Sequence, residues 1–172
     1  MPTVIDRQGL TLRPEYRTVI LHDAQFDARV GAAEAITEAA TNVAATTPYE
    51  LYLIVAQAEL PVQIDLLTWD EPPGQDQRPP AGWTFVGAYH LPFPSGDVIL
   101  GDGGGQSITG PWLRGRTGPY TVEVCSRGRD EATARLRQMY DETATMTIPE
   151  ARAHKNREGS GIEQYLLQLW PA

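Results

Sequence analysis

The hydrophobic positions of this chain fall in short runs that are separated by glycine, proline and polar residues. The segment LYLIVA at 51–56 is continuously apolar, which is typical of a strand covered on both faces. In VQIDLLTW at 62–69, polar and apolar residues alternate, so Val62, Ile64 and Leu66 share one face of a strand. Both segments have the length and the pattern of β-strands.

Further strand-like segments occur along the chain. They lie at 16–30, 82–93, 97–100, 118–126 and 161–172. Many short strands joined by Gly- and Pro-containing turns are typical of an antiparallel two-sheet fold. The pattern therefore predicts a mainly β fold, an antiparallel β-sandwich of about seven or eight short strands with one or two peripheral helices. A length of 172 residues suits one domain, residues 1–172.

Two segments interrupt the strand pattern. Residues 31–47 are rich in alanine and threonine, which allows a helix from about Ala32 to Ala45 and equally a mobile loop. Residues 130–160 begin with a helical stripe, for which Asp130 is the predicted N-cap, and continue as a polar stretch. The stripe consists of Leu136, Met139 and Tyr140. Both segments are candidate flexible regions.

The net charge of −8 is unevenly distributed. Residues 1–113 hold five Arg and fourteen Asp or Glu, a net charge of −9, whereas residues 114–157 carry +3. Direct nucleic-acid binding requires a basic surface that displaces counterions, so the composition argues against it. An acidic surface is suited to attracting a basic protein partner, although acidity also simply maintains solubility. No apolar run is long enough to cross a membrane, and we expect a cytoplasmic protein.

The glycine-rich segment LGDGGGQSITG at 100–110 resembles a phosphate-binding loop only superficially. A P-loop requires Gly-Lys-Ser/Thr, but Pro111 follows Gly110; a dinucleotide-binding fingerprint requires glycine where Gln106 stands. Asp102-Gly103 instead favours a primed turn between two strands, because glycine accepts a positive φ. We therefore predict a β-hairpin and no cofactor.

No arrangement of residues predicts a metal site or a catalytic nucleophile. His22, His90 and His154 lie on separate segments without metal-ligand spacing. Cys125 is the only cysteine, so the chain has no intramolecular disulfide, and a strand-packed thiol is the favoured interpretation over a reactive one. We assign no catalytic residue and do not favour an enzyme.

The stretch SRGRDE at 126–131 is the most distinctive charged segment. Arg127 and Arg129 flank Gly128 at a strand end, and Asp130 follows. The favoured interpretation is an internal salt-bridge cluster in which an acid of this turn holds the arginines. The alternative is a site that binds an acidic ligand or partner, because the guanidinium group binds carboxylates through two hydrogen bonds.

Three tryptophans near predicted loops are candidate anchors for a protein partner, because aromatic and arginine side chains dominate binding energy at interfaces. They are Trp69, Trp83 and Trp112. The fourth, Trp170, lies among leucines on the last predicted strand, and we expect it in the hydrophobic core.

Parts of the sequence resemble known families. GPYTVEVCSRGRD followed by IEQYLLQLWP resembles the C-terminal half of an actinobacterial β-rich family without an assigned function. The segments PSGDVILGDGGG and VQIDLLTWDEPP fit the same layout, so this resemblance covers roughly residues 50–172.

The chain is also distantly similar to the competence protein J family of nuclease inhibitors. HDAQF within residues 21–26 and the Gly-Pro-Tyr strand start at 118–120 carry this resemblance. It implies a β-sandwich that acts by binding another protein.

We therefore expect a non-catalytic protein-binding module. Its most specific form is an inhibitor or immunity protein that blocks a toxin or nuclease sterically and electrostatically. Three alternatives stay open: a small-molecule-binding β-sandwich, a structural subunit of a larger assembly, and an enzyme that uses Arg127, Arg129 and His22 or His90.

Overall fold

The structure, a computed structural model, describes residues 1–26, 30–74, 77, 79 and 81–172. Ten strands lie in these ranges: β1 (Val4–Leu12), β2 (Thr18–Asp23), β3 (Ala44–Thr46), β4 (Glu50–Ile54), β5 (Val62–Trp69), β6 (Thr84–Phe93), β7 (Val98–Gly101), β8 (Ser107–Gly110), β9 (Gly118–Arg127) and β10 (Gln164–Pro171). The helices are α1 (Ala32–Asn42), α2 (Arg129–Glu142) and α3 (Ile148–Gly159), with a 3-10 turn at Glu15–Arg17. Parts of the predicted strand at 16–30 and of the loop before residue 82 lie outside the described residues.

The strands form two five-stranded sheets. Sheet A has the order β1-β5-β10-β9-β6, and sheet B has the order β3-β4-β2-β7-β8. All the pairings are antiparallel except that of β5 with β10, which is parallel. The mainly β prediction is confirmed, whereas the described strands number ten and not seven or eight. The strand β1, which pairs with β5 in an antiparallel register, was not predicted.

One hydrophobic cluster contains side chains from both sheets. Its sheet A members alternate along the strands, as in Val62, Ile64 and Leu66 of β5, because successive side chains of a strand point to opposite faces. Leu53 of β4 and Leu100 of β7 contribute from sheet B. The two sheets therefore share a core, and their arrangement as a face-to-face sandwich stays a prediction.

The alternation on β10 corrects one expectation about the core. Tyr165, Leu167 and Leu169 are buried in the shared cluster, whereas Trp170 is only half-buried. Trp170 immediately follows Leu169 and therefore points to the opposite face of sheet A. The expectation of a core tryptophan at this position was wrong.

The two segments that interrupt the predicted strand pattern are largely helical. Helix α1 packs Ala35 and Ala39 against Tyr52 and Ile54 on the outer face of sheet B, so 31–47 contains a helix and strand β3. Such alanines allow the helix to lie close to the sheet.

Helices α2 and α3 occupy the segment 130–160 between β9 and β10. Ala132, Leu136 and Met139 of α2 pack with Leu60. The N-cap of α2 is Gly128 and not the predicted Asp130, which lies in the first turn. Helix α3 begins after a capping box in which the Thr147 amide donates to Glu150 Oε2 at 2.9 Å.

The predicted hairpin at the glycine-rich segment is confirmed, since β7 pairs with β8. Its loop spans residues 102–106 and is not a two-residue primed turn. Asp102 Oδ1 accepts hydrogen bonds from the amides of Gly104 at 2.9 Å and Gln106 at 3.0 Å. The carboxylate of Asp102 therefore organises the loop from within.

Candidate functional site

The predicted arginine cluster lies where β9 ends and α2 begins. Arg127 is exposed, and its guanidinium carbon lies 4.6 Å from the ring centroid of Trp83, which directly precedes β6. Its Nη2 also donates to Gln164 Oε1 at 2.6 Å. A guanidinium stacked on an indole is held in one place while its outer edge stays in water.

Phe85 extends this surface, because 61% of its area is exposed although it lies on a strand. Asp130 and Glu131, in the first turn of α2, line an open cavity of about 480 Å³ together with Phe85 and Arg127. We call Trp83, Phe85, Arg127, Asp130 and Glu131 the arginine patch. The exposed Phe85 ring and the Arg127 guanidinium belong to the aromatic and arginine side chains that are enriched at protein contact surfaces.

Arg129 has a different environment from Arg127. Its Nη1 donates to the carbonyl oxygen of Ile54 at 2.8 Å, contacts the Tyr165 hydroxyl and lies 3.5 Å from Glu163 Oε1. These partners belong to the end of β4 and to the region of β10. Arg129 thus forms the internal salt bridge that the sequence allowed, but its acid is Glu163 and not Asp130 or Glu131.

Glu163 is completely buried beside Arg129. Its Oε1 accepts a hydrogen bond from the Ala56 amide at 2.7 Å and another from the Tyr165 hydroxyl. Burial raises the pKa of the Glu163 carboxyl, against the lowering effect of these donors and of Arg129. Burial also raises the pKa of the Tyr165 phenol. This buried cluster has a structural role, because it connects the end of β4 with the region of β10.

Two of the three predicted tryptophan anchors, Trp69 and Trp112, are buried although they lie next to loops, which corrects the expectation that they are available to a partner. Trp112 belongs to the shared core, with 8% of its area exposed. Trp69 is 6% exposed, and its Nε1 donates to Gln168 Oε1 at 3.1 Å. A satisfied, buried indole presents no surface to a partner, so Trp83 alone of the three lies beside the arginine cluster.

A second open pocket, of about 400 Å³, adjoins the arginine patch on the outer face of sheet A. It is lined by Trp83, Phe85, Pro79, Glu123 and Cys125. Burial and the neighbouring Glu123 raise the pKa of the Cys125 thiol to about 11. A nucleophilic cysteine needs the opposite shift, so this thiol acts as a packed side chain.

His22 and His90, the two histidines considered for an enzyme, lie away from the arginine cluster. His90 is opposite Thr121 on β9, six residues from Arg127, which corresponds to about 20 Å along a strand. His22 belongs to β2 in sheet B, and its Nδ1 lies 2.9 Å from the carbonyl oxygen of Asp23. The arginine–histidine arrangement considered as an enzyme alternative is therefore not assembled at this place.

Within the described ranges, no three or more His, Cys, Asp and Glu side chains converge in a way that could hold a metal ion. In the same part of the chain, none of the helices has the length and apolarity needed to cross a bilayer.

No protein-family model and no curated protein matches the chain. Solved structures do match it. The crystal structure of ComJ, an inhibitor of the DNA-degrading activity of NucA, from Bacillus subtilis, is similar with a TM-score of 0.57 and 8% sequence identity, over 100% of this chain and 99% of that chain. The two chains share a fold.

A protein described as crocagin biosynthetic gene J is similar with a TM-score of 0.49 and 11% identity, over 99% of this chain and 98% of that one. The likeness to ComJ agrees, at the level of the fold, with the resemblance to the competence protein J family. The resemblance of residues 50–172 to an actinobacterial family stays a prediction.

Phe85, Glu163 and Ile54 were not predicted from the sequence as parts of these two clusters. An exposed phenylalanine on a strand gives no local signal, because its exposure depends on what covers the sheet. The only sequence cue for Glu163 was a charged residue at the start of an apolar strand.

Proposed function

We propose that this chain is a non-catalytic protein-binding module that inhibits a nuclease or toxin by covering its working surface. The observation that carries the proposal is the arginine patch, an exposed aromatic and guanidinium surface on a fold shared with an inhibitor protein. An immunity function in the cytoplasm is part of the same proposal.

The contact would begin with long-range attraction. The chain has a net charge of −8, so it attracts a basic protein and repels nucleic acid, the substrate of a nuclease. Opposite net charges increase the rate of association more than they increase the final affinity.

Once in contact, Phe85 and the stacked Trp83–Arg127 pair would supply the anchors. Trp83 and Phe85 are positioned on or beside β6, and Arg127 is held by Trp83 and Gln164. Pre-positioned side chains lose little rotamer freedom on binding, which favours affinity. Inhibition would follow from steric exclusion of the substrate, with no reaction on the inhibitor.

The test uses the product of the adjacent open reading frame, purified and assayed for nuclease or toxin activity with and without this protein. We expect inhibition at micromolar concentration or below, and a Kd at least about tenfold weaker for Phe85→Ala or Arg127→Ala. Ile148→Ala is the control, because Ile148 is 86% exposed on α3, outside the patch. A wild-type protein that neither binds nor inhibits would overturn the proposal.

The pocket beside Cys125 supports one alternative, a small-molecule-binding module. In that case the Phe85→Ala change would weaken binding of a metabolite, and no protein would bind at micromolar concentration.

A further inference from the structure

A groove crosses the outer face of sheet B between α1 and the loop of the β7–β8 hairpin. Two adjoining open cavities form it, with volumes of about 410 and 200 Å³, and they share Ile20 and Gly103. Ile20 and Ile36 give the groove apolar walls, and the neighbouring Ala32 and Tyr52 extend them toward α1. Helix α1 packs on β3 and β4 beside the groove.

Tyr16 lies at the mouth of the groove with 92% of its area exposed. Its backbone is left-handed, with φ 51° and ψ 23°, and the next residue, Arg17, also has a positive φ of 64°. Side chains other than glycine rarely adopt this conformation. Two consecutive residues of this kind therefore require strong support from the surrounding structure.

That support comes from Val55, directly after β4, and from the hairpin loop. The Val55 amide donates to the Arg17 carbonyl oxygen at 2.9 Å, and Arg17 Nε donates to the Val55 carbonyl oxygen at 2.8 Å. The Glu15 amide donates to Asp102 Oδ2 at 3.4 Å. These bonds hold the Tyr16 backbone so that its aromatic ring projects into solvent beside the apolar walls.

The charge of the groove is negative. Glu15, Glu50 and Asp102 line it, and its described lining contains no lysine or arginine. Glu50 and Asp102 are buried and engaged with the Tyr52 hydroxyl and the Gly104 amide. The Glu15 carboxylate, by contrast, is exposed and has no hydrogen-bond or ion-pair partner among the described residues.

Gly104 allows Glu15 to occupy this position. A Cβ added to Gly104 would lie 2.6 Å from Glu15 Oε2, so any larger residue would displace the carboxylate. The absence of a side chain at Gly104 thus leaves room for the Glu15 side chain.

We propose that this groove docks a basic segment of the partner protein, with a Lys or Arg side chain beside Glu15 and an apolar side chain between Tyr16, Ile20 and Ile36. The inference rests on the proposed function and adds to it a second contact surface, on sheet B. The negative charge of the groove favours a cationic occupant. A phosphate-bearing ligand would be repelled by three carboxylates, whereas a cationic side chain would form an ion pair with Glu15, the carboxylate that has no partner among the described residues.

The first experiment tests the groove without any nuclease. The 15N-labelled protein is titrated with the blocked peptide Gly-Lys-Leu-Arg-Gly, and with Gly-Glu-Leu-Glu-Gly as the control. We expect amide shifts at Tyr16, Ile20, Ile36 and Gly103 with the basic peptide at millimolar concentration, and none with the acidic one. An absence of shifts, equal shifts with both peptides, or shifts at the arginine patch instead would overturn the inference.

The second experiment measures binding to the product of the adjacent open reading frame and uses the variant Tyr16→Asn. Asparagine tolerates the left-handed backbone, so Tyr16→Asn removes the ring without removing the turn. We expect a Kd at least about tenfold weaker for Tyr16→Asn, an unchanged melting temperature, and no change for Ile148→Ala.

The outcomes separate the two proposals. If the wild-type protein binds the nuclease and Tyr16→Asn binds it equally well, the groove is not the docking surface, and the proposed function stands. If the wild-type protein does not bind the nuclease, the proposed function fails, and the peptide titration alone decides whether the groove accepts a basic segment.

Discussion

Arg129 Nη1 donates a hydrogen bond to the carbonyl oxygen of Ile54 at 2.8 Å, which joins the start of α2 to the end of β4 in sheet B. The same guanidinium lies 3.5 Å from the fully buried Glu163, next to β10 of sheet A. One side chain therefore links both sheets and the helical segment. Two residues away, Arg127 points outward and stacks on Trp83. The two arginines therefore have different roles: Arg129 connects elements inside the fold, and Arg127 contributes to the exposed surface.

We expect Arg129→Ala to lower the free energy of unfolding by about 3 kcal/mol, because it leaves the Glu163 carboxylate buried without its cation. Arg127→Ala, whose side chain is exposed, should cost no more than about 1 kcal/mol. Urea unfolding followed by tryptophan fluorescence measures both values. Equal stabilities of the two variants would contradict the structural role assigned to Arg129.

Gly128→Ala should destabilise the protein strongly. Gly128 has a φ of 72°, and an added Cβ would overlap the carbonyl oxygen of Ile162. Gly115 is a matched control, because its φ is 76° and an added Cβ would meet nothing within 4 Å. Gly115→Ala should lower the free energy of unfolding by about 1–2 kcal/mol, because alanine is strained in this left-handed backbone conformation.

The overlap at Gly128 should add about 1–3 kcal/mol to that backbone cost. Thermal melting of the two variants provides the comparison. A similar decrease in melting temperature for both variants would mean that the backbone near Gly128 and Ile162 shifts to accommodate the added Cβ without a further cost in stability.

Leu169→Ala should cost about 2–5 kcal/mol, since Leu169 is fully buried between strands of the shared core. Trp170→Ala, on the opposite and half-buried face, should cost less although the tryptophan side chain is larger. Chemical denaturation of both variants tests this order. The reverse order would show that the face assignment of β10 is wrong.

The Cys125 thiol should react slowly with a thiol reagent such as 5,5′-dithiobis(2-nitrobenzoic acid). With a pKa of about 11, roughly one thiol in a thousand is ionised at pH 8. We expect a slow reaction of the native protein and rapid reaction in urea. Glu123→Gln should speed the native reaction, because it removes the negative charge that raises this pKa.

Glu142 should make stability depend on pH under acidic conditions. Hydrogen bonds from Arg135 and then His154 lower the pKa of its carboxyl from 4.5 to about 2. A lowered pKa in the folded state stabilises the fold above pH 4.5, and this contribution disappears as the pH falls toward 2. The difference in melting temperature between the wild type and Glu142→Gln should shrink over that range. A constant difference would contradict this linkage.

Local patterns in the sequence were sufficient for much of the fold. Alternation identified β5, a continuous apolar run identified β4, and the Asp102-Gly103 pair identified the β7–β8 hairpin. These elements were predictable because side-chain period and turn conformation are properties of a few consecutive residues. The acidic charge and the absence of phosphate-binding motifs are likewise properties of the sequence alone.

Tertiary structure decided what depends on residues far apart in the chain. The parallel pairing of β5 with β10 joins segments about a hundred residues apart, and no local pattern specifies it. The same is true of Arg129, whose carbonyl partner is 75 residues away, and of Arg17, whose left-handed backbone accepts a hydrogen bond from the Val55 amide. The sequence determines which residues are apolar or charged. Only the tertiary structure determines which of them contact each other, because the energy of these contacts comes from residues that are far apart in the chain and meet only when it folds.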